Sequence, residues 1–391
     1  MQYSKPKGFQ IKPMKKTIDA AKIDANMAIK AARNDNLQWW NPAAAPLRLT
    51  GFYWYDRDRV FRRLPNDETR MPKVADGASW HASGAALLSW HTAGGQVQFR
   101  SDSSRIVLKV KLLNDNLMDH MPQTGSSGFD VYCAELGEFR FVGVTRFELK
   151  TREYTAEPVK DMPRAMREFL IDFPLYNGVE SLEIGLDADA ELAPPTPWRD
   201  DRPIVGYGTS ILHGGCASRP GMSYPNLLSR HLNQPVLNFG FSGSGKGEPE
   251  VAAMLAEIEN PAVYLLDYEA NTGTVEHMAK TLPSFIDILR ARHPEVPILV
   301  ISGIMYGRDA VPSGIENRAE KRRRYIETER DEVERRRRAG DRRIHFLDGS
   351  RLLGEDWDEC TVDGVHPNDL GFYRMAAALQ PEIEKVIGGV N

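Results

Sequence analysis

A chain of 391 residues exceeds what one hydrophobic core usually organises, so two domains are expected. Hydrophobic residues at 41% and charged residues at 27% exclude wholesale disorder, and a net charge of -4 excludes a general pull toward nucleic acid or anionic membrane. Cys133, Cys216 and Cys360 are odd in number and far apart, which argues against a disulfide framework or a zinc clamp. The opening residues contain no apolar signal core, and no apolar run approaches the roughly 20 residues of a membrane helix, so a cytoplasmic protein is expected.

Residues 1–45 read as an N-terminal arm, helical over Thr17–Arg33 and ended by Asn34-Asp35-Asn36. An aromatic stretch follows, with Trp39, Trp40, Tyr53 and Trp54 serving either as core or as flat faces for a sugar ring. Over 46–190 short apolar-patterned runs, among them Ile106–Leu112, Phe129–Cys133, Phe169–Phe173 and Val179–Ile184, are separated by Gly-rich and polar breaks without long helices. That pattern predicts an antiparallel β-sandwich acting as an accessory domain. Residues 191–202 carry Pro194, Pro195 and Pro197 and read as a stiff linker.

From 203 to 391 apolar strands alternate with amphipathic helices. Strands are expected at Ile204–Tyr207, Val236–Phe241, Ala262–Tyr268, Ile298–Ser302 and Ile344–Leu347, and helices over 222–232, 249–259, 275–292, 313–338 and 369–388. This alternation predicts a parallel, doubly wound sheet whose chemistry gathers beyond the strand carboxyl ends. The Arg- and Glu-rich segment 316–343 reads as a solvated helix laced with ion pairs rather than a nucleic-acid site.

Four of these five strands, the first, second, third and fifth, are followed by residues that carry chemistry. Ser210 ends Gly206-Tyr207-Gly208-Thr209-Ser210, where it is either a helix cap or a nucleophile. Gly243 lies in Phe241-Ser242-Gly243-Ser244-Gly245, a loop that offers backbone N–H groups and lacks the order of a P-loop. Asn271 follows Asp267-Tyr268-Glu269-Ala270 with a side-chain amide. Asp363 precedes His366 by three residues, a spacing that lets the carboxylate hold Nδ1 while Nε2 accepts a proton. Asp267 and Glu269 read as structural or rim groups rather than an acid–base pair. Thr209, His213, Cys216 and Glu269 are expected to line a substrate pocket, and as a nucleophile Cys216 would lack an evident neighbour to make it a thiolate.

In this order Ser210, Gly243, Asn271 and Asp363/His366 resemble the four blocks of the SGNH/GDSL hydrolase superfamily. The resemblance implies a flavodoxin-like three-layer α/β fold with strand order 2-1-3-4-5. It also implies a catalytic triad of Ser210, His366 and Asp363, and an oxyanion hole from Ser210, Gly243 and Asn271. Two departures stand out: Gly208-Thr209-Ser210 replaces the usual Gly-Asp-Ser, and Glu269-Ala270-Asn271-Thr272 replaces Gly-x-Asn-Asp. Gly128-Phe129-Asp130-Val131-Tyr132 is similar to the Gly-x-Asp-Leu-Tyr motif of a β-sandwich that precedes some of these hydrolases. The expected activity is hydrolysis of short acyl esters, acetyl above all, of a polar alcohol such as a carbohydrate. No metal or organic cofactor is needed for it. An acyltransferase and a non-catalytic carbohydrate-binding or scaffold protein are the alternatives.

Overall fold

In the computed structural model, which describes residues 20–76, 79–134, 137–310 and 318–389, two larger antiparallel sheets and the two-stranded pair Lys73–Asp76 and Ser79–Ala82 precede a parallel sheet. The antiparallel strands form where apolar side chains can turn to one face. In Ile106–Leu112, Ile106, Leu108, Val110 and Leu112 are buried while Lys109 is exposed. That strand lies between Val179–Asp187 and Glu153–Val159, and Leu37–Trp40 pairs on the outer side of Val179–Asp187. The second sheet runs Leu192–Ala193, Gln96–Ser101, Arg167–Asp172, Asp130–Ala134, Phe139–Val144, with Arg48–Thr50 also paired to Gln96–Ser101. Val97, Phe99, Val131, Phe169 and Ile171 of this sheet share one core with Ile106, Leu108, Ile184 and Leu186 of the other.

Several expectations for this half are corrected. Over Thr17–Arg33, residues 17–19 lie outside the described residues and only Ala20–Lys22 forms a 3-10 turn. Beyond it the Asp24 carboxylate accepts the Asn26 N–H at 2.9 Å, a side-chain turn that competes with a helix. The stretch read as an arm to residue 45 contains a sheet strand, because Leu37–Trp40 pairs in register with Ile184–Asp187. The proline-rich stretch is not a free linker: Leu192–Ala193 pairs with Arg100–Ser101, and Arg48 stacks on Trp198 at 4.2 Å. Trp54 is buried edge-on against Phe239, 6.1 Å between ring centres, and the Tyr53 hydroxyl accepts the Glu259 N–H at 2.9 Å, so these two aromatics join the halves of the chain.

The parallel strands are mainly apolar, as strands covered on both faces tend to be, and only the edge strand Ile344–Leu347 is largely half-buried. Val236–Gly240, Ile204–Gly208, Val263–Asp267, Ile298–Ile301 and Ile344–Leu347 lie side by side in that spatial order, which is 2-1-3-4-5. Tyr224–Leu232 and Asp369–Gly388 pack on one face, and Pro249–Leu255, Val275–Arg292 and Arg318–Arg338 on the other. Thr274 and Asn368 cap two of these helices by accepting the His277 and Gly371 N–H groups at 3.1 and 3.0 Å. The helix expected over 313–338 spans Arg318–Arg338, residues 313–317 lying outside the described ones, and its surface is laced with pairs such as Arg323 with Glu320 and Glu327. Among the described residues no helix is long and apolar enough to cross a membrane.

The Gly128–Tyr132 motif docks the two halves. The fully buried Asp130 carboxylate accepts N–H bonds from Gly221 and Arg219, both at 3.0 Å, and the Tyr132 ring receives the Arg230 guanidinium at 3.8 Å. A second buried carboxylate, Asp172, lies 3.5 Å from Arg230 and accepts the Gln96 amide at 2.8 Å. Burial raises both acids, and the two arginines counter it. Asp130→Ala should therefore cost about 2–3 kcal/mol by stranding Arg219 and the Gly221 N–H. Denaturant unfolding checks this, and an unchanged midpoint would place the docking energy elsewhere.

Candidate active site

Residues from both halves of the chain meet at the carboxyl ends of the parallel strands, where this architecture collects ligands. Thr209 leaves the strand Ile204–Gly208 in extended conformation and caps the one-turn helix Ser210–His213, its hydroxyl accepting the Ile211 N–H at 3.3 Å. Ser210 is the first helical residue, so the helix's own ladder does not use its N–H. This turn needs glycine on both sides. A Cβ on Gly208 would sit 2.4 Å from the Asp267 oxygen, and one on Gly240 would sit 2.2 Å from the His213 nitrogen.

The Asp363–His366 loop holds its own shape. One Asp363 oxygen accepts the Val365 and His366 N–H groups at 2.9 and 2.8 Å, and the other lies 2.7 Å from His366 Nδ1. The Val362 N–H bonds back to the His366 oxygen at 2.9 Å, and the Gly307 N–H holds the Gly364 oxygen at 2.7 Å. Because a carboxylate can only accept, Nδ1 carries the proton and Nε2 is free to accept one. Nε2 lies 2.9 Å from Ser210 Oγ. Burial raises the Asp363 carboxyl, but the N–H groups of His366, its ring and the Val365 N–H hold it down at about 2.

The other two expected oxyanion donors are Gly243 and Asn271. Gly243 adopts φ +64, where a Cβ would meet nothing, so the residue serves the left-handed turn itself. Asn271 spends one amide N–H on the Phe241 oxygen at 3.1 Å, which fixes the side chain against the glycine loop and leaves its second N–H.

Thr209, His213 and Glu269, expected to line a pocket, are each committed to bonds or packing within the fold. Thr209 is buried, its hydroxyl turned back to the helix as a cap. His213 is fully buried, its Nε2 donating to the Leu175 oxygen at 2.7 Å and its ring stacked on Tyr176 at 4.2 Å. Burial and the nearby Arg63 charge lower its basicity well below the usual range, so it is neutral packing. Glu269 is buried, accepts the Gly303 N–H at 2.6 Å, and borders a cavity of about 210 Å³ with Tyr306, Asp309, Arg322 and Tyr325.

Three residues went unread in the sequence. The Tyr176 hydroxyl lies 3.4 Å from the Ser210 oxygen and bonds the Ser242 side chain. The His120 ring stands 5.8 Å from that of His366. Arg63, fully buried, donates to the oxygens of Asn238 and Gly240, just before the glycine loop. All three come from the N-terminal half across the domain interface, and no local spacing marks them.

The GDSL-like Lipase/Acylhydrolase family matches residues 201–384, and the N-terminus of SGNH-hydrolase-type esterases, known by its GxDLY motif, matches residues 37–192. A protein of Bacteroides ovatus described as a GDSL-like lipase is 31% identical, with 90% of this chain and 98% of that one covered and a TM-score of 0.79. A salicylyl-acyltransferase from a tetracycline biosynthetic pathway shares the fold at 19% identity, covering 90% of this chain and 98% of that one, TM-score 0.67. So does a family two carbohydrate esterase from Clostridium thermocellum, solved with cellohexaose, at 15% identity over 85% of this chain and 99% of that one, TM-score 0.55. Among curated proteins none matches the chain.

Behind the strand ends lies a group of buried acids. Tyr224 donates its hydroxyl to Asp267 at 2.8 Å, and Glu329 is fully buried with neither carboxylate oxygen bonded among the described residues. Burial, then the charges of Glu269, Asp267 and Asp348, pushes the Glu329 carboxyl well above its ordinary value. A raised folded pKa means the folded state keeps a proton that the unfolded chain releases above about pH 4.3, so this residue takes stability away as pH rises. Glu329→Gln should thus raise the Tm by a few degrees at pH 8 and by less at pH 5. Equal gains at both pH values in thermal melts would show that the carboxyl does not titrate differently on folding.

Proposed function

We propose that the chain, which belongs to the GDSL-like lipase/acylhydrolase family, is a serine esterase that removes short acyl groups, acetyl first, from a polar, carbohydrate-like alcohol. The observation that carries the reading is the continuous line from Asp363 through His366 to Ser210, with contacts of 2.7 and 2.9 Å. Ser210 Oγ attacks the ester carbonyl carbon as its proton passes to His366 Nε2, and the ionised Asp363 stabilises the imidazolium. The carbonyl oxygen becomes an oxyanion among the N–H groups of Ser210 and Gly243 and the Asn271 amide, each worth roughly 2.7–4 kcal/mol in the transition state. The tetrahedral adduct collapses, the C–O bond to the alcohol breaks, and Nε2 returns the proton to the leaving oxygen. Water then repeats the sequence on the acyl-serine.

Support for a small polar substrate comes from the loops around the serine. Those after Phe241 and Tyr268 are built from Gly, Ser, Glu, Asn and Lys246 rather than from the apolar lid a long chain needs. The fold shared with carbohydrate esterases favours a sugar alcohol. The fold shared with an acyltransferase makes transfer to an alcohol the competing outcome, since either acceptor can take the same acyl-enzyme. Product analysis with and without added alcohols separates the two.

Ser210→Ala and His366→Ala should each lower turnover by on the order of 10³–10⁶, and Asp363→Ala by less. Asn271→Ala should lower kcat by on the order of 10²-fold with a smaller change in KM, because its amide meets charge present mainly in the transition state. Undiminished hydrolysis by purified Ser210→Ala would overturn the mechanism. Across aryl esters, kcat/KM should fall from acetyl to octanoyl, and acetylated oligosaccharides should be turned over. A steady rise with chain length would make the enzyme a lipase instead.

A further inference from the structure

Two side chains with no role in the hydrolytic scheme stand against the proposed triad. His120 reaches it on the loop after the strand Ile106–Leu112, and Cys216 on the loop after the serine's helix. One donor atom from each of His120, Cys216, Asp363 and His366 lies within 4.8 Å of the others. The thiol is held there at a cost in backbone energy: Cys216 is buried at φ +78, the left-handed region that a residue with a side chain avoids.

The second observation concerns the rings. His120 Nδ1 lies 2.9 Å from the Asp119 carboxylate and His366 Nδ1 lies 2.7 Å from that of Asp363. In metal centres this pairing fixes the imidazole tautomer and presents the Nε2 lone pair to the ion. Two imidazoles and a thiol form a donor set of the zinc class, which leaves the fourth position to water. Bonds of roughly 2.0–2.3 Å place tetrahedral donors about 3.3–3.8 Å apart, a contraction within reach of rotation by the partly exposed His120.

We propose that these groups form an inhibitory site for a divalent ion of the zinc class, held by Cys216, His120 and His366, with Asp363 fixing the His366 tautomer and water completing the shell. On binding, the Cys216 S–H bond loses its proton to solvent, the thiolate and two nitrogen lone pairs enter the metal shell, and nothing is oxidised or reduced. The carboxylates of Asp363 and Asp119, each bonded to the Nδ1 of one of the two imidazoles, draw the cation in. The ion occupies the lone pair that would take the serine proton, so the esterase is switched off while the metal stays. That consequence rests on the proposed function, whereas the binding itself does not.

The test uses the full chain and two readouts. Zn²⁺ is titrated into an aryl acetate assay, and Co²⁺ into enzyme without substrate while the thiolate-to-cobalt absorption in the near ultraviolet is followed. Zn²⁺ should lower kcat more than tenfold, reversibly with a chelator. Measured against each variant's own metal-free rate, Cys216→Ser and His120→Gln should need at least tenfold more Zn²⁺ for the same fractional inhibition, and Cys216→Ser should abolish the cobalt–thiolate band. Equal zinc sensitivity in all three proteins, or no such band in the unsubstituted chain, overturns the site. A band in a chain that hydrolyses no ester upholds the site and counts against the esterase reading instead.

Discussion

Arg63 carries a guanidinium into the interior, where a cation persists only if its donors are matched. The main-chain oxygens of Leu88, His91 and Asn238 accept its N–H groups at 2.7, 2.7 and 3.0 Å, with the Gly240 oxygen as a further acceptor at 2.6 Å and the Phe241 ring 4.8 Å away. Burial still draws its pKa down to about 9. Two of these acceptors lie in the N-terminal half, and two end the strand that leads into the Gly243 loop. The geometry of that loop is therefore set by a charge that can be buried only when both halves are seated.

The N-terminal half is consequently part of the site and more than an accessory to it. Asp130 and Asp172 fasten it to the Arg219–Arg230 segment, which lies just beyond the serine's helix. Tyr176 then reaches Ser210 and Ser242 together, and His120 arrives beside His366. A Gly-x-Asp motif whose carboxylate receives a backbone N–H and an arginine across the interface is understandable as a docking device. Its acid must be short and fully buried, and Gly128 must lack a side chain because a Cβ there would lie 2.5 Å from the Thr124 oxygen.

What the sequence revealed follows from how local each signal is. The five parallel strands were legible because they are continuous apolar runs between amphipathic helices. Their order, and the Asp363–His366 spacing, came with the four ordered blocks of the family resemblance. The pairings at Leu37–Trp40 and Leu192–Ala193 were hidden, since both are edge segments whose partners, Val179–Asp187 and Gln96–Ser101, lie far along the chain. The proline cluster beside Leu192 reads as linker by composition, while two residues suffice to complete a sheet. His213 was misread because nearness in sequence to Ser210 suggests a shared pocket, whereas its ring is fully buried, bonded to the Leu175 oxygen and stacked on Tyr176. Arg63, His120 and Tyr176 carry no local pattern at all.

The carboxylates at this sheet edge show why Asp363, rather than an acid nearer the serine's strand, is suited to face a histidine. Asp267 ends the strand beside Ile204–Gly208, but it is buried and receives one hydroxyl from Tyr224; burial, with Glu269 close by, raises it to about 7. Such a group is protonated through much of the neutral range and cannot reliably stabilise an imidazolium. Asp363 accepts three N–H groups from its own loop and stays near 2, ionised at any pH where His366 can act as a base. The difference lies in solvation by backbone: a tight Asp-Gly-Val-His turn supplies N–H donors to its own carboxylate, whereas a strand end has already committed its N–H groups to the sheet. Placing the acid in a self-bonded loop outside the sheet thus separates the stability of the core from the charge the proposed chemistry requires.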